Sequence, residues 1–564
     1  MKKTTAWLMG LVGTMLATAC SAPLPQQEEK LIICNPLELN YRFQPDEMSR
    51  REAADPVCIY FKDAYYLFAS KSGGYWRSEN LARWDYIPCH TIPIIMDYAP
   101  TIMEYKGELY FTASSDGRLT RFFRNAHPER DEWVEVPTKF TLPGQHDPAF
   151  FKDDDGRVYF FWGCHDVDPI VGVEVDPEDG FAPLGEPVVI VEHNYKQYGW
   201  EVPGEWNDDD KAGWNEGPAV LKHKGKYYLQ YAAPGTQFRT YGDGYYVADN
   251  PLGPYTYAEE SPFSIKTGGF IGGAGHGDTF RDKYGNLWHV ATMRISVRHW
   301  FERRIGLFPV TISDEYGMYA HQDFADFPFE IPTAKVDERH DWHLTGYNLL
   351  SRHKQATASS SLEGYAPELA ADEQVETWWS AASGEVGEWF MLDLGRAEVV
   401  RAVQVNLADQ DFQVWAPHGD VVYRYVVEAS ADGRQWQTVA DMSANTVDAP
   451  HRLHLLERPI EARYLRVTNK ESIADGKFSL YDLRVFGGDK RLDVVATGLQ
   501  VTRNARDTRR FELTWDAVPE ATGYIVRWGT HQGRLTHSSM TFDTRFEAGH
   551  FNRDSDYFFE VVAF

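Results

Sequence analysis

Three acids recur at one place in a repeat. Asp55 precedes Pro56, Asp147 precedes Pro148, and Glu216 stands one residue further out in Glu216-Gly217-Pro218. About ten residues after each comes an aromatic run: Tyr65-Tyr66-Leu67, Val158-Tyr159-Phe160 and Tyr227-Tyr228-Leu229. Acids in equivalent slots converge if the repeats are arranged about an axis. Converging carboxylates can then divide the work, one staying ionised to take a proton while another stays protonated to give one. An Asp that merely caps a turn explains one such acid more easily than three.

The elements that must position these acids are hairpins. Two further copies complete the set: Ala99-Pro100 leads to Leu109-Tyr110-Phe111, and Gly277-Asp278-Thr279-Phe280, without the proline, leads to Leu287-Trp288-His289-Val290. Each pair of anchors brackets a turn signal, such as Lys106-Gly107 or Asp153-Asp154-Asp155-Gly156. Apolar strand, polar turn and aromatic strand make a hairpin, with proline tolerated at the strand start. Five copies spaced about 44 to 70 residues apart fit the blade period of a propeller, whose innermost strands share one channel. The expectation is an all-β chain with a five-bladed β-propeller over residues 46–335.

Composition narrows the partners. With 56 Lys and Arg against 83 Asp and Glu, the net charge of −27 excludes a nucleic-acid binder, which needs a basic face. An aromatic content of 14 % suits a neutral ligand with flat apolar faces, such as a sugar. No organic cofactor is expected. At the N-terminus, Met1-Lys2-Lys3, an apolar run from Ala6 to Leu16 and small residues up to Ala19 make a secretory signal over 1–19. The step into Cys20 resembles a bacterial lipobox, with Ala17 where Leu is usual. That resemblance implies lipidation of Cys20, a tether over 20–45, and an exported lipoprotein of the periplasm, outer membrane or cell surface. Cys34, Cys58, Cys89 and Cys164 have no metal spacing and read as small buried hydrophobes, with one bridge left open.

The motifs Ala54-Asp55-Pro56, His146-Asp147-Pro148 and Asn215-Glu216-Gly217-Pro218, in that order from about Asp55 to Pro332, resemble glycoside hydrolase family 43, inverting enzymes on a five-bladed propeller. The resemblance implies that Asp55 is the general base and Glu216 the general acid, with Asp147 orienting that acid and holding its pKa up. In an inverting glycosidase the two working carboxyls stand roughly 6.5 to 9.5 Å apart. The resemblance further implies that His276, in Gly275-His276-Gly277-Asp278, contacts a structural calcium ion in the channel, directly or through water, and that Arg294 faces the substrate. Calcium prefers oxygen ligands, so waters would have to do most of that coordination. Trp214, on an aromatic loop with Trp200 and Trp206, and also Trp76 and Tyr98, are predicted to line the sugar pocket. The Trp-Met-Asn-Asp-Pro opening of retaining fructan-type propellers is absent.

Asn348 to Gly487 resembles a discoidin-like domain of the coagulation factor 5/8 type, carried by Trp378-Trp379-Ser380, Trp389 to Gly395 and Arg463 to Val467. Its expected span is 345–488, as a jelly-roll sandwich in which Trp378 and Trp379 pack the core. Residues 495–564, with Leu513-Thr514-Trp515 and Gly523 to Trp528, resemble a fibronectin type III domain. The expected activity is exo-acting removal of terminal pentoses, as an α-L-arabinofuranosidase or β-xylosidase, from complex plant polysaccharides. The alternatives are an exo-β-1,3-galactosidase of the same family and a non-catalytic glycan-binding surface lipoprotein; a silent homologue would be expected to have lost one of the acids.

Overall fold

Each predicted hairpin forms, because its aromatic strand is buried while a turn residue in the left-handed region, Lys62-Asp63 in the first and a glycine in each of the others, reverses the chain. In the computed structural model, which describes residues 30–44, 50–114, 120–142, 145–337, 339–342, 345–412, 421–471, 476–488 and 491–564, these hairpins grow into five antiparallel sheets. They begin with the strands Val57–Phe61, Thr101–Tyr105, Ala149–Lys152, Asn215–His223 and Gly272–Arg281. Each first strand touches the next, and the fifth touches the first. The sheets therefore close into a five-bladed ring.

Between blades the core is aromatic. Phe122, Phe140, Phe150, Phe160, Trp162 and Phe181 pack in one cluster, with Phe122 stacked on Phe181 at 4.1 Å between centroids. Such pairs add about 0.5–1.5 kcal/mol each beyond their buried area.

The signal segment and Cys20 lie outside the described residues. The expected tether, however, is folded from residue 30 onward. Leu31–Ile33 pairs antiparallel with Phe329–Ile331, the Asn35 amide donates to the carbonyls of Leu307 and Ala325, and Leu37, Leu39 and Tyr41 enter the propeller core. Its alternate apolar residues find a groove that no local pattern announces.

The second unit wraps two long strands, Trp389–Leu407 and His451–Asn469, around a core that includes Trp379, Phe390, Leu465 and Leu483. Register shifts near Asp393 and Val400 let these strands bend. Trp379 is fully buried; Trp378 lies between Tyr365 and Tyr481, under the Arg298 guanidinium of the propeller. The third unit is a two-sheet sandwich. Val494–Val495, Phe558–Ala563, Tyr524–Gly529 and His537–Thr541 form one sheet, and Gln500–Arg503, Phe511–Thr514 and Arg545–Ala548 the other.

Both units dock on the propeller through buried polar contacts. Arg51 reaches Asp409 and Asp448 at 2.8 Å, Arg304 donates to His451 at 2.9 Å, and Tyr257 donates to Asn552 at 3.0 Å.

Candidate active site

The residue in the equivalent slot of each repeat is held in a left-handed backbone. φ is +48° at Asp55, +47° at Ala99, +50° at Asp147, +58° at Gly217 and +42° at His276. For a non-glycine residue this costs of order 1–3 kcal/mol. In every case a side chain of the preceding blade accepts the N–H. Thr292 serves Asp55 at 2.8 Å, Ser70 serves Ala99 at 2.7 Å, and Ser114 serves Asp147 at 2.8 Å. Asp147 itself serves Gly217 at 3.2 Å, and Asp243 serves His276 at 2.8 Å. The fifth repeat is therefore shifted by one residue from the sequence expectation. His276, and not Gly277, occupies the slot, at a register shift within Gly272–Arg281.

One substitution in this pattern turns Asp147 toward Glu216. Ser70, Ser114 and Gly163 are equivalent positions, since each N–H bonds the carbonyl two residues before its own blade's proline: Ala54, Tyr98 and His146. Glycine offers no hydroxyl there. The Asp147 carboxylate takes over as acceptor for blade four, and Cys164 pairs across to Glu216.

The three predicted carboxylates meet at this pole. His276 Nδ1 lies 3.3 Å from Asp55 and 3.6 Å from Asp147, while ligand atoms of Asp147, Cys164 and Glu216 lie within 4.8 Å of one another. Gly217 makes the packing possible, because a Cβ there would stand 2.5 Å from the His276 ring.

The acids differ in surroundings. Burial works to raise the Asp55 pKa, but the Arg303 guanidinium at 3.1 Å, His276 and donors from Ser70 and Thr292 outweigh it and hold the carboxyl below its usual range. Asp147 is pushed up to about 7, by burial and by the neighbouring Glu216 and Asp55, against the opposing pull of His276. His276 is raised because the surrounding acids outweigh its burial. Glu216 is gripped at both oxygens. The buried Tyr241 hydroxyl donates to Oε1 and the Cys164 thiol to Oε2 at 3.2 Å, and burial keeps both donors protonated.

Several expected contacts fall elsewhere. Trp76 is fully buried in the core beside Leu67 and Tyr86, because strand alternation turns it away from the channel; it lines no pocket. Arg294 is bound to Glu205 at 3.1 Å, to the Gln237 carbonyl at 2.7 Å and to Glu376 of the second unit. Its cross-strand partner Arg303 is the arginine on Asp55, and Arg303 also holds Glu52 at 2.6 Å. Tyr98 is half-buried with its ring 5.7 Å from Phe301. Trp214 is 43 % exposed two residues before Glu216. Trp200 is core, donating to Tyr257. The residues around His276 do not fit a directly bound calcium ion. Its Nδ1 faces two carboxylates, its ring packs on Gly217, and the neighbouring three-donor group contains a thiol, a poor partner for a cation that takes six to eight oxygens.

Arg303, Tyr241 and Cys164 were not visible as site residues. Arg303-Arg304 offers a signal, since adjacent strand residues face opposite ways and one of two arginines must turn inward. Tyr241 offers none.

Residues 48–317 match the model of glycosyl hydrolases family 43, and residues 355–482 match the F5/8 type C domain. A β-xylosidase of Xylanibacter ruminicola is 28 % identical over 152 residues, 23 % of this chain and 45 % of that protein. An arabinoxylan arabinofuranohydrolase of Paenibacillus polymyxa is 32 % identical over 149 residues, 26 % of this chain and 22 % of that protein. The chain thus spans less than half the length of these curated relatives. A thermostable family-43 glycoside hydrolase of known crystal structure aligns with a TM-score of 0.43 at 21 % identity, over 55 % of this chain and all of that one.

Proposed function

We propose that the family 43 domain of this chain works as an inverting, exo-acting glycoside hydrolase that removes terminal pentoses from plant polysaccharides. The observation that carries this reading is the unequal setting of carboxyls at one pole: Asp55 held ionised by Arg303 and His276, and a buried Asp147 beside Glu216 pushed up to about 7. In this reading Asp55 takes a proton from water as that water attacks the anomeric carbon. Glu216 gives its proton to the departing glycosidic oxygen, so one proton is taken up and one released per bond cleaved. Tyr241 and Cys164 fix the rotamer of Glu216, and Asp147 is the neighbouring charge that keeps a proton on the pair. The pentose assignment rests on relatives named as a β-xylosidase and an arabinoxylan arabinofuranohydrolase.

The test is a screen of aryl α-L-arabinofuranoside, β-xyloside and β-galactoside, with wild type, Asp55→Ala and Glu216→Ala. Turnover of a pentoside that Asp55→Ala abolishes supports the reading. Turnover of the galactoside alone moves the substrate to a hexose, and none on any glycoside or pentosan leaves a binding protein.

Two accessory assignments belong to the same proposal. Residues 495–564 are read as a fibronectin type III module, on the four-plus-three-strand sandwich closed over Trp515 and Trp528. Cys20 is read as a lipid anchor placing the enzyme at a bacterial membrane surface, which fatty-acid labelling of wild type and Cys20→Ser checks.

A further inference from the structure

Of the 18 tryptophans in the chain, three are exposed among the described residues: Trp206, Trp214 and Trp300, at 45, 43 and 60 %. All three stand on loops at the carboxylate-bearing pole. Trp214 is two residues from Glu216, and Trp206 follows Glu205, which holds Arg294 at the end of Leu287–Arg294. Trp300 lies in the turn joining that strand to Arg303–Ser313, whose first residue bonds Asp55. A hairpin end that starts at the level of Asp55 must project beyond it, toward the mouth.

The Trp300 loop is built rather than loose. Arg298 donates to Tyr481 at 2.6 Å and to Glu302 at 2.9 Å, and its guanidinium lies 4.7 Å from the Trp378 ring of the second unit. The Ile295 and Ser296 N–H groups close on the Glu302 carbonyl at 2.9 and 3.0 Å. On its inner side, Phe301 sits 5.0 Å under Arg303 and 5.7 Å from Tyr98, and 5.8 Å from Trp300 itself. Aromatic rings thus run without a break from the guanidinium on Asp55 to a solvent-facing indole.

A large ring held in water beside a carboxylate site offers a stacking face to a ligand. Its occupant must present a flat apolar face, and the chain's net charge of −27 favours one that carries no negative charge. A neutral sugar ring meets both conditions.

We propose that Trp300 is the stacking platform of a subsite for sugar units beyond the scissile bond, so that the preferred substrate is a long uncharged glycan and not a short glycoside. This rests on the glycosidase reading of the carboxylates. The platform is on the propeller, and the second unit serves it by bracing Arg298.

The experiment compares Trp300→Ala and Trp300→Phe with wild type on arabinoxylan and on an aryl α-L-arabinofuranoside. The expected result is a KM for arabinoxylan raised at least fivefold by Trp300→Ala, with a much smaller rise for the aryl glycoside, and substantial recovery in Trp300→Phe. Equal losses on both substrates, or none on either, overturn the proposal. If wild type cleaves neither substrate, arabinofuranosidase action has failed, and tryptophan fluorescence titrated with a xylo-oligosaccharide of about six units decides the platform separately. Quenching that Trp300→Ala lacks supports it, whereas no quenching overturns it. Concentration-dependent dimerisation that Trp300→Ala abolishes, read by sedimentation, overturns it in favour of a contact between copies.

Discussion

Two of the buried charge clusters in this molecule differ in what they leave unpaired. At the contact between propeller and second unit, Arg51 is closed in by Asp409 and Asp448, and Asp448 is pushed up to about 6 by burial although Arg51 pulls it down. At the propeller pole, Arg303 and His276 satisfy Asp55, yet Asp147 and Glu216 stand side by side and, among the described residues, pair with no cation beyond His276. A shifted carboxyl is therefore no marker of a site by itself, since structural ion pairs shift pKa values as well. What separates the pole is its opening to solvent, with Glu216 and His276 half-buried where Asp409 and Asp448 are fully buried.

That contrast can be broken most directly at Asp55. Asp55→Ala should lower kcat on a cleavable glycoside by about 10²–10⁴-fold, with urea melts showing a folded protein; undiminished kcat would remove Asp55 from the chemistry. At the other cluster, Arg51→Ala should strand two buried acids and lower the unfolding free energy by about 3–5 kcal/mol, while kcat per folded molecule stays near wild type. A large drop in kcat there would erase the distinction between the clusters.

Asp147→Asn sharpens the comparison through pH. The folded-state pKa of Asp147, about 7, lies above the ordinary aspartate value of 3.8, so its contribution to stability is present at acid pH and lost as pH rises toward 7. Removing the carboxyl should raise the melting temperature relative to wild type at pH 8 more than at pH 4. It also removes the anion beside the acid, so the alkaline limb of kcat/KM should move to lower pH. An alkaline limb that stays in place would show that Asp147 is not coupled to the acid. Tyr241→Phe should have the smallest effect, roughly three- to tenfold in kcat, consistent with one lost hydrogen bond of about 0.5–1.5 kcal/mol. A change confined to KM would assign Tyr241 to substrate binding instead.

The hairpins and their acids were legible because both are local. A strand start, a turn and an aromatic strand lie within a dozen or so residues, and alternation with period two reads out directly. The misreadings each involve a partner far along the chain. Trp76 reads as a pocket wall until the core it shares with Trp288 and Leu307, more than 200 residues on, is assembled. Arg294 and Arg303 are cross-strand partners, and what separates them is Glu376 of another unit holding one and Asp55 of another blade holding the other. Residues 30–44 resembled a tether because their strand partner, Phe329–Ile331, is some 300 residues away.

By itself, the sequence determined the blade repeat, the three acids in their slots and the order of the units, since each follows from turn chemistry and short-range periodicity. Only the tertiary structure decided which arginine meets Asp55, that Tyr241 and Cys164 grip Glu216, that His276 faces carboxylates, and that an exposed tryptophan is braced at the mouth. Those outcomes depend on how one blade's side chains meet the next blade's backbone when the ring closes. Contacts of that kind have no fixed spacing along the chain.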